Sequence, residues 1–299
     1  MIKIFKQSET NERLKSMIRK NNKNYFPLTN DTGLLLSDIE NGKNLNVCVF
    51  GAAGTGKTRR YIIPNMLQAN TSYVCTSRSC DVLERTKEAL FQEGYIVKTI
   101  RIDEINSDFC FDDIDFGDMG KEKKALFIEY STHRIEPQET VAALVAKIFD
   151  DLMEKSKSYP QGQLPIHVRF MLDELEQYES VPNLSEMMSE GTSRNVSFNI
   201  VLQNIMQLKH NYKDWKDILS ECDSILFFEA LNEETRMLVP NLVKKWTLSI
   251  ENPPLIEGYD LDRKLSEARG EGCLLFTRGK EPFFSEKIKI DENSGRAIY

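Results

Sequence analysis

Along this chain, short apolar runs alternate with longer stretches that are apolar on one side only. The runs 46–50 (NVCVF), 72–76 (SYVCT), 95–100 (YIVKTI), 124–130 (KALFIEY), 166–172 (IHVRFML), 196–202 (VSFNIVL) and 224–228 (SILFF) read as buried strands. Between them, 59–69, 81–93, 137–153, 184–191 and 233–243 read as helices. In 137–153, Val141, Leu144, Val145, Ile148, Phe149 and Leu152 fall on one helical face. In 81–93, Asp81 is expected to cap the start and Gly94 to close the end. Strands alternating with helices predict an α/β fold, with a mostly parallel central sheet flanked by helices.

Several stretches depart from this alternation. Residues 1–24 are basic (Lys3, Lys6, Arg13, Lys15, Arg19, Lys20, Lys23) and read as a solvated terminus, or else as an arm for nucleic acid or a membrane surface. Residues 25–45 look irregular, with turn signals at Pro27, Thr32-Gly33 and Asn41-Gly42. The acidic stretch 103–120 holds Asp103, Asp108, Asp112, Asp113, Asp115 and Asp118. Its spacing is not that of the twelve-residue calcium loop, so a solvated connection is the expectation. The segment 209–215 (KHNYKDW) mixes basic and aromatic residues, as single-strand-binding surfaces do; the plainer reading is a solvated helix with Trp215 buried. Near the end, 245–250, 273–277 and 287–290 read as closing strands, with Arg278-Gly279 a tight turn after the second. The partition is an arm 1–44, one α/β core 45–290 and a tail 291–299.

The strand at 46–50 runs straight into Gly51-Ala52-Ala53-Gly54-Thr55-Gly56-Lys57-Thr58, followed by Arg59. That is G-x-x-x-x-G-K-T between a strand and a helix, the phosphate-binding loop in its required context. Glycines let the backbone fold tightly, so that successive N–H groups face a phosphate chain. The following helix adds the positive end of its dipole. Lys57 supplies a charge for the β- and γ-phosphates, and the Thr58 hydroxyl is a ligand for Mg²⁺.

The strand 166–172 ends in Asp173-Glu174, the pattern of a Walker B strand. Asp173 is expected to hold Mg²⁺ through its water shell, and Glu174 to orient and polarise the attacking water. The next strand ends at Gln203, read as an amide that senses the γ-phosphate or the water, or else as a capping amide. Arg194 stands before that strand, and is read as an arginine finger toward a neighbouring subunit or as a turn residue. No N-K-x-D motif for guanine is present, and the strands interposed between the two nucleotide motifs fit a RecA/AAA-like layout.

Composition narrows this reading little. With 299 residues, 40% hydrophobic and 28% charged, the chain has ordinary globular content. It has no apolar run long enough to span a membrane and no signal-peptide pattern, and Ile2 excludes myristoylation, so a cytoplasmic location is expected, with membrane contact only through partners. The six cysteines form no CxxC pair and lie near none of the three histidines, which argues against zinc and against a disulfide framework. A net charge of −7 argues against a general nucleic-acid coat, but leaves room for a ring that grips a strand with a few lysines per subunit.

The run 51–76 resembles the start of the motor domain of type IV secretion coupling proteins, the TraG/TraD-like conjugative ATPases. The marks are Thr58-Arg59 after the loop, then Pro64-Asn65, then the strand Ser72–Thr76. KALFIEY, IHVRFMLDE, TSRNVSFNIVLQN, CDSILFF and GEGCLLFTRGKEPF resemble later family blocks in the same order. The resemblance implies a RecA-like fold, ATP and Mg²⁺ as cofactors, and a hexameric ring that moves single- or double-stranded DNA, or protein–DNA cargo, toward a secretion channel, with relaxase and channel proteins as partners. By position it assigns the loop Gly51–Arg59 to ATP, Thr58 and Asp173 to Mg²⁺, Glu174 with Lys57 to hydrolysis, Gln203 to sensing and Arg194 to a possible finger role. Three features depart from the family: the N-terminal membrane helices are missing, 103–120 stands where an all-helical domain is usual, and Ser77-Arg78-Ser79-Cys80 replaces Asp-Pro-Lys-Gly. The expected function is an ATP-dependent DNA-translocating motor subunit. The rival reading is a nucleotide-binding adaptor that docks on a larger secretion ATPase without turnover of its own.

Overall fold

The computed structural model describes residues 24–36, 44–104, 116–130, 136–229, 231–246, 261, 263–265 and 270–291. In chain order, β1 (Tyr25–Pro27) and β2 (Gly33–Leu35) precede β3 (Val47–Phe50). A π-helical turn, Thr58–Ile62, runs on into α1 (Ile63–Met66). There follow β4 (Ser72–Ser77), α2 (Asp81–Gln92), β5 (Ile96–Arg101), β6 (Lys124–Glu129), α3 (Glu136–Ser156), β7 (Val168–Leu172), α4 (Leu184–Ser193) and β8 (Val196–Leu202). The last group is α5 (Ile205–Asn211), α6 (Trp215–Ser220), β9 (Ser224–Phe227), α7 (Glu233–Trp246), β10 (Gly272–Thr277) and β11 (Phe283–Glu286).

The chain forms two compact units. The first comprises Met1–Gln68, Leu202–Lys209 and Cys222–Tyr299; the second comprises Ala69–Val201 and His210–Glu221. Strand order is β11-β10-β9-β3 in the first and β8-β7-β4-β6-β5 in the second. Pairing is parallel for β3–β9, β4–β6, β4–β7, β5–β6 and β7–β8, and antiparallel where β10 and β11 close the first unit. β3, β4, β7 and β8 are buried at every position, as strands covered on both faces must be. β5 lies at the end of its block, is mostly exposed, and carries Lys98 and Arg101, the composition of a protected edge.

The apolar face expected on α3 packs inward: Val141, Leu144, Val145, Ile148, Phe149 and Leu152 are all buried. Phe149 tilts against Phe170 and Phe198, which stack at 4.7 Å and form the aromatic centre of the second unit. In the first unit Phe227 stacks on Phe50 at 5.4 Å and meets Phe276 edge-on at 5.7 Å.

Several local expectations change. Residues 25–35 form a hairpin, β1 against β2, where the sequence looked irregular. Cys80, not Asp81, takes the cap position of α2; Asp81 instead pairs with Arg85 one turn on at 2.7 Å. Gly94 closes that helix as expected, with φ +81°. α7 continues through Trp246, so the start of the proposed strand 245–250 is helical, and 247–250 lies outside the described residues. The last strand is Phe283–Glu286 rather than 287–290, because Cys273 and Leu275 find their antiparallel partners at Ser285 and Phe283. Tyr212, not the half-buried Trp215, is the buried aromatic of 209–215. Of the acidic stretch, Asp108, Asp112, Asp113 and Asp115 lie outside the described residues.

His167, just before β7, is buried between two fixed partners: its Nδ1 lies 2.7 Å from Asn195 Oδ1 and its Nε2 2.7 Å from Ser197 Oγ. Asn195 donates its own Nδ2 to the Leu164 carbonyl at 2.9 Å, which turns Oδ1 toward the ring. Nδ1–H therefore donates to Asn195, and Nε2 accepts from Ser197. Burial, then the nearby Arg169 charge, push the imidazole down to about 3, so it folds neutral. The unfolded chain takes up a proton on this ring at higher pH than the folded one. Its contribution to stability is thus full above about pH 6.5 and is lost progressively as pH falls toward 3. Thermal unfolding of the wild type should weaken over that window by up to about 1.4 kcal/mol per pH unit. His167→Gln should flatten the curve, and parallel curves for the two proteins would count against this account.

Candidate functional site

In the first unit, β3 delivers the chain into the glycine-rich loop. The Gly51 N–H donates to the Leu202 carbonyl at 3.2 Å. A Cβ on Gly51 would stand 2.7 Å from Thr55 Oγ1 and 2.8 Å from Phe228 Cβ, so only glycine fits there. Gly54 and Gly56 take φ of +80° and +86°, the left-handed region in which side chains are strained. Thr55 Oγ1 donates back to the Ala52 carbonyl at 2.8 Å and closes the turn. Ala53 and Gly54 are exposed at the tip, while Thr55 and Lys57 are buried. Lys57 Nζ donates to the carbonyls of Gly51 at 2.5 Å and Ala52 at 3.0 Å, so its ammonium lies folded over the mouth of its own loop.

The helix that follows opens as a π turn, in which the Ile63 N–H reaches the Thr58 carbonyl five residues back. Such wider turns concentrate at functional positions. Arg59 is exposed, while Arg60 turns away to Glu271 Oε1 at 2.9 Å and the Ile288 carbonyl at 3.3 Å. Asn65 is fully buried and donates to the carbonyls of Pro27 and Tyr61, each at 2.9 Å. That bond ties α1 to β1 and gives the Pro64-Asn65 pair a structural reason.

A second lysine, Lys287, also reaches this loop. Its side chain is 2% exposed and its Nζ donates to the Thr55 carbonyl at 2.9 Å, to Glu229 Oε1 at 3.0 Å and to the Gly270 carbonyl at 2.7 Å. Glu229 stands just past β9, where the Phe228 N–H pairs with the Phe50 carbonyl at 2.7 Å. Gln203 belongs here too, one residue beyond the Leu202 carbonyl that holds Gly51. The Gln207 side chain accepts the N–H groups of Gln203 and Asn204, both at 3.1 Å, and so fixes the strand tip.

In the second unit, β7 ends at Leu172 and presents the buried Asp173. Glu174 takes φ and ψ of 49°, a left-handed conformation for a residue with a full side chain, and its N–H donates to Asp173 Oδ1 at 3.1 Å. Strain of this kind persists where surrounding structure imposes it. The Thr76 hydroxyl donates to the Asp173 carbonyl at 3.4 Å and lies 3.5 Å from the Tyr178 hydroxyl. Tyr130 meets Tyr178 edge-on at 5.5 Å. Neither the Tyr130 hydroxyl nor Glu174 Oε2, both buried, has a hydrogen-bond partner among the described residues. Burial first, and then the carboxylates of Glu174, Asp173 and Glu176, hold the Tyr130 phenol well above its ordinary range, against the opposing charge of Arg78. It therefore stays protonated beside the acidic tip.

Arg194 also lies in the second unit, at the end of α4. It donates Nη1 to the Gly162 carbonyl at 3.1 Å. Among the residues singled out from sequence, the first unit thus gathers Gly51–Thr58 and Gln203, and the second holds Asp173, Glu174 and Arg194. Sequence reasoning missed Lys287 and Glu229, and it missed Tyr130. No motif marks them, since each acts from the end of a strand.

Two family profiles match the chain. One, described as "Type IV secretory system Conjugative DNA transfer", matches residues 5–111. The other, described as "TraM recognition site of TraD and TraG", matches residues 167–245. No curated protein matches the sequence. Among solved structures, the unbound bacterial conjugative coupling protein TrwBdeltaN70 is similar, with a TM-score of 0.63 and 13% identity, over 99% of this chain and 97% of that one. The plasmid coupling protein TrwB in complex with ADP and Mg²⁺ aligns with a TM-score of 0.62 and 12% identity, over 100% and 97% of the two chains. TrwB with the non-hydrolysable GTP analogue GDPNP aligns with a TM-score of 0.61 and 13% identity, over 96% and 95%. At these identities the likeness is one of fold, that of a RecA-like P-loop NTPase with a mostly parallel sheet. Two profiles of one transfer machinery, matched in order along a chain with that fold, make this protein a member of the type IV secretion coupling proteins.

Proposed function

We propose that this chain is the ATP-hydrolysing, DNA-translocating motor of a conjugative coupling protein. The observation that carries the reading is the phosphate loop itself. Its left-handed Gly54 and Gly56, and a Lys57 ammonium resting on its own loop carbonyls, are what a nucleotide's phosphates would engage. The loop N–H groups and Lys57 would hold the β- and γ-phosphates, with Arg59 flanking them. Thr58 and Asp173 would hold Mg²⁺, which when bound neutralises phosphate charge. Glu174 would orient a water for in-line attack on the γ-phosphorus, with ADP and inorganic phosphate as products. Gln203, beside Gly51, would report the γ-phosphate, and Arg194 would leave the Gly162 carbonyl to reach a neighbour's nucleotide.

In this reading ATP and Mg²⁺ are the cofactors, copies of the chain assemble as a hexameric ring, and DNA, relaxase and channel proteins are its partners. It works on the cytoplasmic side and meets the membrane through those partners.

Lys57→Ala should weaken ATP binding at least about thirtyfold, the effect of removing one partner of a desolvated charge pair. Titration with a fluorescent ATP analogue reads this directly. Glu174→Gln should bind ATP within about threefold of wild type while turnover falls roughly a hundredfold or more. Equal hydrolysis rates for the two proteins would remove Glu174 from the mechanism. Wild-type ATP hydrolysis, measured over a protein concentration series with and without DNA, should rise faster than linearly with protein and be stimulated by DNA. Tight ATP binding with no turnover at any concentration would instead favour an adaptor that docks on a larger ATPase.

A further inference from the structure

Lys287 lies outside both segments that the family profiles match. It is nonetheless the buried cation that grips the phosphate loop from behind. Its ammonium has three protons, and each has a protein acceptor: the carbonyls of Thr55 and Gly270 and the carboxylate of Glu229. The same Nζ stands 4.9 Å from the centre of the Phe228 ring, and Phe228 in turn packs where a side chain on Gly51 would have to go. Gly270, at φ +82°, supplies its carbonyl from a position where a Cβ would crowd Glu229 Oε1 at 3.3 Å.

The Thr55–Gly56 peptide is planar and trans, so its C=O and N–H point in opposite directions. A lysine that fixes the Thr55 carbonyl on one side turns the Gly56 N–H to the other. Gly56, at φ +86°, belongs to the one residue type that crosses easily between left- and right-handed regions. The bonds of Thr55 to the Ala52 carbonyl and of the Arg60 N–H to the Gly56 carbonyl flank this peptide, while the bond from Lys287 is the one to the Thr55 carbonyl itself. We propose that Lys287, charge-balanced by Glu229, is a positioning residue that presets the Thr55–Gly56 peptide so that the Gly56 N–H is offered to the phosphate chain. It acts through the backbone, with no proton left for the nucleotide. The proposal deepens the nucleotide-binding reading above and rests on it.

Lys287→Met keeps the apolar stem and removes all three bonds. Two measurements on the full chain decide the matter. Amide hydrogen exchange over 51–58, without nucleotide, should speed up about tenfold relative to wild type while exchange in β7 and β8 stays unchanged. KM for Mg-ATP should rise about tenfold with kcat within about threefold, a split that a general loss of folding does not produce. Unchanged exchange and unchanged KM in a folded Lys287→Met protein would overturn the proposal. If that variant does not fold, Glu229→Gln, which removes the balancing charge and weakens the lysine's bond at this position, should shift both readings in the same direction by about threefold; no shift would likewise overturn it. If the wild type binds no ATP, the nucleotide-binding reading fails by itself, while the exchange comparison still decides whether Lys287 holds the loop.

Discussion

A loop that grips phosphates must satisfy two opposing demands. Its N–H groups have to remain available and face one way, yet buried backbone groups elsewhere in a protein are almost always paired. Around residues 51–58 the conflict is resolved by pairing the carbonyls instead. Gly51 and Ala52 give theirs to Lys57, Ala52 also to Thr55, and Thr55 gives its own to Lys287. The surrounding elements can be read from that requirement. β9 brings Phe228 and Glu229, and the segment after β11 brings Lys287 and, at Ile288, an acceptor for Arg60. The Gly51 N–H bond to Leu202 places Gln203 at the same loop.

The acidic tip of the second unit follows a different logic. Here the backbone is strained and the side chains are partly unsatisfied. Glu174 is held left-handed by Asp173, whose carbonyl is held by Thr76. The Tyr130 hydroxyl and Glu174 Oε2 are buried without partners among the described residues, a costly arrangement of about 1–3 kcal/mol for each such group unless water or ligand completes it. Strain and incomplete hydrogen bonding thus fall together at the end of one strand, a combination that calls for a specific cause rather than ordinary packing.

Much of this was legible from sequence because the relevant forces are local. The periodicity of 137–153 marked the buried face of α3 residue by residue, and the apolar runs marked the strands. Glycine spacing marked the phosphate loop, since glycine takes the left-handed φ values at positions 54 and 56 without strain. What escaped was set by pairing across the chain. β11 was misplaced by a few residues because its register depends on β10, not on its own composition. The hairpin at 25–35 was invisible because its stabilising partner is an asparagine in α1. Lys287 carries no local mark, for its role exists only once Thr55, Glu229 and Gly270 have been brought to it.

The reach of that lysine also sets an order of events at the ribosome. Thr55 and Lys287 are 232 residues apart, so the Gly51 carbonyl finds Lys57 only six residues on, whereas the Thr55 carbonyl waits for a segment made far later. A nascent polypeptide therefore carries the glycine-rich turn long before it carries the strap behind it. Contacts this distant close late and slowly. The carbonyls of Gly51 and Ala52 can thus meet Lys57 as soon as the loop itself is made, while the Thr55 carbonyl cannot meet its lysine until the chain has reached residue 287.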